Sequence, residues 1–287
     1  MLPESIKQRL RFVTVSNGNL SLDNFPDFLI IGPQRTGTTW LHANLRGHPE
    51  IFLSEPKELF FFSRLKPAGH LRRQSNDLVW YLHFFHDPLW RMATKQAACL
   101  WRYGALYRPR VRGEATASYA AIDRDVIEEI AVLNPNIKAI LMVRNPIDRA
   151  WSHAKKDLVR KTKRRVQDVP ESEFQQFFAD EYQLRCAHYV EQFDNWSTYL
   201  REGHVLVCRF DDIASRPEGL LTDVMQFLGV SADRRYIGTL AREAVNPTEV
   251  SKIPARYRQR LEELLRPDLE ALEQRFGFTW GTREART

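Results

Sequence analysis

Two groups of residues in this chain carry side chains suited to holding phosphates. The first is Phe28-Leu-Ile-Ile-Gly-Pro-Gln-Arg-Thr-Gly-Thr-Thr-Trp40, an apolar run, a glycine-flanked loop and then a helix-starting pattern. Strand, loop and helix in that order build a phosphate-binding loop. Backbone N–H groups of residues 35–39, at a helix N-terminus, converge on one anionic group. The hydroxyls of Thr38 and Thr39 add hydrogen bonds, and Arg35 adds a fixed positive charge. Gly32 and Gly37 have the spacing of a Walker A loop, but Thr38 stands where a nucleoside triphosphatase needs Lys. The loop thus points away from ATP hydrolysis and toward a nucleotide with a single 5′ group to transfer. The second group is Arg144 and Ser152, within Lys138-Ala-Ile-Leu-Met-Val-Arg-Asn-Pro-Ile-Asp-Arg-Ala-Trp-Ser152. Arg144 follows the carboxyl end of an apolar strand, where α/β folds place ligands. An Arg beside a hydroxyl makes a compact site for a second phosphate. Alternatively, Arg144 pairs with an acid and Ser152 only packs.

The elements that must position these residues are legible from periodicity. Asp27–Ile31, Ile51–Leu53, Val111–Glu114, Lys138–Val143 and Val205–Phe210 read as strands, several of them continuously apolar, as in parallel sheets. Helices are expected over Gly37–Arg46 and Asn76–Phe85. Another spans Asp125–Leu133, with Asp123 as cap and Asn134-Pro135 as stop. A helix opens at Pro146 and runs toward Arg160, and Gln175–Leu200 has mixed helical periodicity. Glu218–Leu228 closes at Gly229, and Pro254–Phe276 is amphipathic with a break near Pro267. Alternation of strands and helices implies a P-loop-containing three-layer α/β/α fold with a central, mostly parallel sheet. Residues 1–24 read as a loosely attached polar arm, residues 25–287 as one domain, and Arg164–Glu173 as a long loop. The aromatic stretch Trp80–Trp90, with Tyr81, Phe84 and Phe85, reads as core before acceptor cleft.

The chain has 287 residues, 43% hydrophobic and 27% charged, with net charge +6. That composition is globular, and the excess of cations suits an anionic partner. Cys99, Cys186 and Cys208 are too few and too scattered for a disulfide framework or a zinc site. His83 and His86 lie three apart without a zinc signature, so no metal is expected. No apolar run reaches the length of a membrane span, and Met1–Asn24 lacks the apolar stretch of a signal peptide. The chain reads as cytoplasmic, with no nucleic-acid partner. A basic run, Lys155, Lys156, Arg160, Lys161, Lys163, Arg164 and Arg165, is either a solvated helix end or a grip for an anionic acceptor.

Together the two phosphate-holding segments resemble sulfotransferases that use 3′-phosphoadenosine 5′-phosphosulfate (PAPS). The likeness extends through Glu55-Pro-Lys-Glu-Leu-Phe-Phe-Phe62, Gly113-Glu-Ala-Thr-Ala-Ser-Tyr119, Val207–Asp212 and Phe227-Leu-Gly229, covering most of the chain. It is nearer to the heparan sulfate N- and 3-O-sulfotransferases and their bacterial relatives than to the cytosolic phenol and steroid enzymes. The resemblance implies PAPS as co-substrate, PAP as product and a small-molecule or glycan acceptor. Arg35, Thr36, Gly37, Thr38, Thr39 and Trp40 would then bind the 5′-phosphosulfate, and Arg144 and Ser152 the 3′-phosphate. Lys252 and Arg256 fall in or next to Asn246–Pro254, which resembles the family loop that covers the nucleotide. The base matches Glu58, with Glu55 and Glu114 as competitors, and Lys57 can help neutralise the sulfuryl group. Arg35 stands where heparan-type enzymes usually carry a catalytic Lys, and Ala115 where they carry another. Arg stabilises a departing phosphate but does not readily give up a proton. For Glu58, a salt bridge to Lys57 or Arg64 is the purely structural alternative.

Two other functions fit parts of the pattern. A P-loop kinase would need ATP and magnesium; the missing Lys at position 38 and the missing strand-ending Asp oppose it. A non-catalytic module could hold a polyanion on Lys155–Arg165, with salt-sensitive binding that survives loss of Glu58.

Overall fold

The computed structural model describes residues 2–16, 20–66, 75–238, 241 and 253–280. Five strands form one sheet: β1 (Phe28–Ile31), β2 (Ile51–Leu53), β3 (Val111–Ala115), β4 (Lys138–Val143) and β5 (Val205–Arg209). Their order is β2-β3-β1-β4-β5, and every pairing is parallel. β1 therefore lies at the centre, between β3 and β4, with Phe28 opposite both Gly113 and Lys138. A Cβ on Gly113 would come within 2.2 Å of the Phe28 ring, so the glycine makes room for the central strand's first side chain.

Helices in chain order are α1 (Glu4–Lys7), α2 (Thr38–Leu45), α3 (Leu78–Leu82), α4 (Leu89–Tyr103), α5 (Arg124–Leu133) and α6 (Pro146–Ala154). They continue with α7 (Glu171–Ala179), α8 (Glu181–Arg185), α9 (Tyr189–Tyr199), α10 (Asp212–Ser215), α11 (Pro217–Leu228) and α12 (Ala255–Phe276). Alternate residues of the central strands feed two cores, as the strand period requires. Leu29, Ile31, Ala139, Leu141 and Val143 pack with α5, α9 and the end of α12. Phe28, Ile30, Ile140 and Met142 pack with α2 and α11. These are the three layers expected from the alternation of elements. A third cluster joins α6 and α7 to α12 through Trp151, Phe174 and Tyr257.

Several local expectations are corrected. The N-terminal arm is fastened, not loose: buried Glu129 on α5 accepts hydrogen bonds from the backbone of Arg11, Phe12 and Val13 at 2.5, 2.8 and 3.0 Å. Asp123 does not cap α5 with its side chain; it pairs with Lys66 and Arg185. The helix opened by Pro146 is α-helical only to Ala154 and continues as a π-helical turn over Lys155–Arg160. The mixed helical periodicity of Gln175–Leu200 resolves into the end of α7, α8 and α9, with Asp180 capping α8 by accepting from the Gln183 N–H at 3.1 Å. Arg164–Glu173 contains a 3₁₀ turn (Val166–Asp168) and the start of α7. α12 runs unbroken through Pro267, which faces solvent, where water can take up the carbonyl that loses its amide partner.

Replacing Glu129 with Ala strands three amides. It is expected to destabilise the domain by about 2–3 kcal/mol in denaturant titrations and to open the chain near Arg9 and Arg11 to trypsin, whereas Glu129→Gln loses less.

Candidate active site

The loop after β1 is shaped by two glycines. Gly32 has φ +141°, and a Cβ there would meet Met142 of β4 at 2.8 Å and the Thr36 hydroxyl at 2.9 Å. Gly37, at φ +96°, precedes α2, and a Cβ there would meet Ile213 at 2.5 Å. The chain can thus fold back tightly over the end of β4 and enter α2 with its first amides pointing outward. No side chain caps that helix and its first turn holds no acid, so those amides can serve an anion. Thr36 is fully buried, and its hydroxyl donates to the Pro33 carbonyl at 2.8 Å, so it locks the loop. Trp40 is buried in the core between α2 and the sheet.

Three sequence-expected residues come together here. Arg35 Nε donates to Ser152 Oγ at 3.0 Å, and Arg144 Nη1 donates to the Arg35 carbonyl at 2.9 Å. Arg144 also lies 4.3 Å above the Phe210 ring. Among the described residues no carboxylate forms an ion pair with Arg144. Burial pulls both guanidinium pKa values below their usual range; nearby Arg160 adds to this at Arg35. Ser152 is buried on α6, whose N-terminus is capped by Asn145 accepting from Ile147 and Asp148. The cluster thus gathers two guanidinium groups and a hydroxyl beside the N-terminus of α2.

Glu58 sits on the loop after β2, tied to β3. Its amide donates to the Ala115 carbonyl at 3.0 Å, and its Oε2 accepts from the Ala117 amide at 3.1 Å. Oε1 pairs with Lys57, so the salt bridge weighed from the sequence forms with Lys57, while Arg64 stacks on Phe60 at 4.8 Å. Glu55 is engaged elsewhere, with Arg46 at 2.9 Å and Arg91 at 3.7 Å. Arg35 and Glu58 both hold positive φ, +77° and +67°, an uncommon backbone state for such residues.

Glu114 is fully buried at the end of β3, bonded by Thr116 Oγ1 at 2.6 Å and by the Tyr81 hydroxyl. Burial pushes its carboxyl up to about 7, against the pull of those hydrogen bonds, with Glu58 adding to the rise.

The basic run divides. Lys161, Arg164 and Arg165 are paired with Asp157, Glu173 and Asp168. Lys156 instead lies within electrostatic reach of both Arg35 and Glu58, and burial lowers its pKa. The sequence names it only as one of seven cations in the basic run; in the structure it lies on a π-helical turn, a feature often found at functional sites. Arg256 is not gathered into the cluster: it pairs with Glu171 at 3.5 Å and stacks on Tyr257. Lys252 lies outside the described residues.

A parallel sheet with a glycine-bounded anion loop at the end of its central strand defines a phosphate-loop α/β domain. Residues 25–252 match the sulfotransferase domain family, and the chain belongs to it. It is similar to the human bifunctional heparan sulfate N-deacetylase/N-sulfotransferase 2, 28% identical over 232 residues, covering 76% of this chain and 23% of that protein. The mouse N-deacetylase/N-sulfotransferase 1 is likewise 28% identical over 235 residues, 76% of this chain and 24% of the relative. The chain thus spans about a quarter of the length of these curated relatives. Among solved structures, a sulfotransferase from Alicyclobacillus acidocaldarius aligns with TM-score 0.61 and 24% identity, covering 89% of this chain and 97% of that one. The sulfotransferase domain of the Synechococcus PCC 7002 olefin synthase aligns with TM-score 0.53 and 17% identity, covering 94% and 100%. These two share the fold.

Glu114 gives a pH prediction. Its folded pKa is raised, so its protonated form stabilises the fold below the unfolded value of 4.5, and that stability is lost as pH rises through about 7. Glu114→Gln should remove this loss: the difference in melting temperature between variant and parent should shift in the variant's favour between pH 5 and about pH 8.

Proposed function

We propose that the domain transfers the sulfuryl group of PAPS to a hydroxyl or amine of a carbohydrate-like or other small acceptor, releasing PAP. The observation that carries this is the Arg35–Ser152–Arg144 cluster beside the α2 N-terminus, which offers two adjacent anion positions at the ends of neighbouring parallel strands. One suits the 5′-phosphosulfate and the other the 3′-phosphate that distinguishes this nucleotide from ATP. The family membership supports the same chemistry.

In this reading an acceptor oxygen or nitrogen attacks sulfur in line, and the bond from sulfur to the bridging phosphate oxygen breaks. The bonding electrons go to the departing phosphate, where Arg35 and the α2 amides meet the charge. The acceptor proton passes to Glu58, whose carboxylate is aimed by the Ala117 amide. Lys57 exchanges Glu58 for a sulfuryl oxygen as the donor binds, and Lys156 bridges the two halves of the site. No metal is part of the proposal, because there are no β- and γ-phosphates to bridge. The cytoplasmic setting belongs to the same proposal.

The test is thermal stabilisation by PAP set beside ATP with magnesium. PAP at a hundredfold excess over its dissociation constant should add about 2.7 kcal/mol to the folded state, and Arg144→Ala should abolish the shift. Glu58→Gln should keep the shift while PAP release from PAPS in the presence of an acceptor panel falls by roughly 10²–10⁴. Stabilisation by ATP and magnesium alone would contradict the proposal and favour a kinase.

A further inference from the structure

Helix α4 presents its apolar side to solvent. Leu89 is 84% exposed, Trp90 64% and Trp101 86%, and Leu100 is exposed beside them. At helical spacing these fall on one face with Ala93 and Ala97 between them, and no charged residue interrupts it. The opposite side, centred on buried Cys99, is the one that meets the domain. Across residues 88–110 every charged side chain is a cation: Arg91, Lys95, Arg102, Arg108 and Arg110. Arg91 and Lys95 are partly balanced by Asp87, but Arg102 and Arg108 are exposed and form no ion pair among the described residues. Between α4 and the end of α2 lies a cleft of about 150 Å³, lined by Arg46, Lys95, Arg102, Tyr103 and Tyr107 among others.

We infer that α4 docks the domain onto an anionic lipid surface. Leu and Trp side chains would enter the boundary between headgroups and acyl chains, the exposed Arg102 and Arg108 would meet lipid phosphates from beside the helix, and the cleft would take one headgroup. An amphipathic helix of this composition lies in the plane of the interface, held by apolar burial and electrostatic attraction. No described helix is long and apolar enough to cross a membrane, so the contact is peripheral. Charge argues against a second copy as the occupant: a two-fold contact through α4 would bring together two surfaces whose charged residues across 88–110 are all cations. Glu55 joins α4 to the Glu58 loop through Arg91, so docking would set that loop at headgroup level. The inference stands whether or not the domain uses PAPS.

The experiment is vesicle co-sedimentation of the full chain, with phosphatidylcholine vesicles and with vesicles containing about a quarter phosphatidylserine, followed by tryptophan emission. The expected result is binding to the anionic vesicles only, with a blue shift, weakened by salt. Trp90→Ser with Trp101→Ser, and separately Arg102→Glu, should each reduce binding about tenfold or more without lowering the melting temperature, because these side chains are exposed. Inorganic phosphate should not displace the vesicles at matched ionic strength. The inference is overturned by no binding to anionic vesicles, by equal binding of the variants, or by displacement with phosphate alone. Lipid-free self-association that Trp101→Ser abolishes would assign the face to a second copy and also overturn it.

Discussion

The contact between Arg35 and Ser152 joins the two halves of the site. Arg35 comes from the loop after β1, Ser152 from the helix after β4, and the two strands are hydrogen-bonded neighbours at the centre of the sheet. Arg144 fastens the same pair by bonding the Arg35 carbonyl. The geometry is possible because Gly32 lets the loop pass within van der Waals range of Met142, and Gly37 lets it turn into α2 under Ile213. Strand order, glycine placement and helix entry thus converge on one arrangement of cations.

That arrangement is electrostatically costly until an anion arrives. Burial lowers the proton affinity of Arg35, Arg144 and Lys156; Arg160 adds to this at Arg35, and Arg35 adds to it at Arg144 and Lys156. A buried positive cluster is held by the packing around it, here by Phe210 beneath Arg144 and by the Ser152 hydroxyl. Under the proposed function, a doubly phosphorylated nucleotide would convert this repulsion into attraction. Lys57 pairs with its neighbour Glu58 on the loop after β2, and in the proposed reaction the donor would re-pair Lys57.

Much of this was legible in the sequence, for physical reasons. β1 and β4 are apolar on both faces, which only a central parallel strand requires, and the glycine spacing and Arg-to-Ser interval report local geometry. Other features depend on contacts distant in sequence. Glu129 looks like a surface helix carboxylate until it meets the arm from 116 residues away. Lys156 lay in a charge run whose periodicity could not reveal a π-turn. α4 escaped notice because its apolar face points outward, and Trp90, read with its neighbours as core, is exposed while Tyr81 and Phe85 are buried. Arg256, expected near the nucleotide from its position, pairs with Glu171 and stacks on Tyr257 through contacts the sequence does not display.

The most direct test of the two-anion site is calorimetric binding of PAP and of 5′-AMP, which lacks the 3′-phosphate, to the parent chain and to Arg144→Ala. The account predicts that the parent prefers PAP by at least about tenfold, as a charge-assisted phosphate contact provides, and that the variant binds both nucleotides alike. Equal affinities in the parent, or an unchanged preference in the variant, would contradict it.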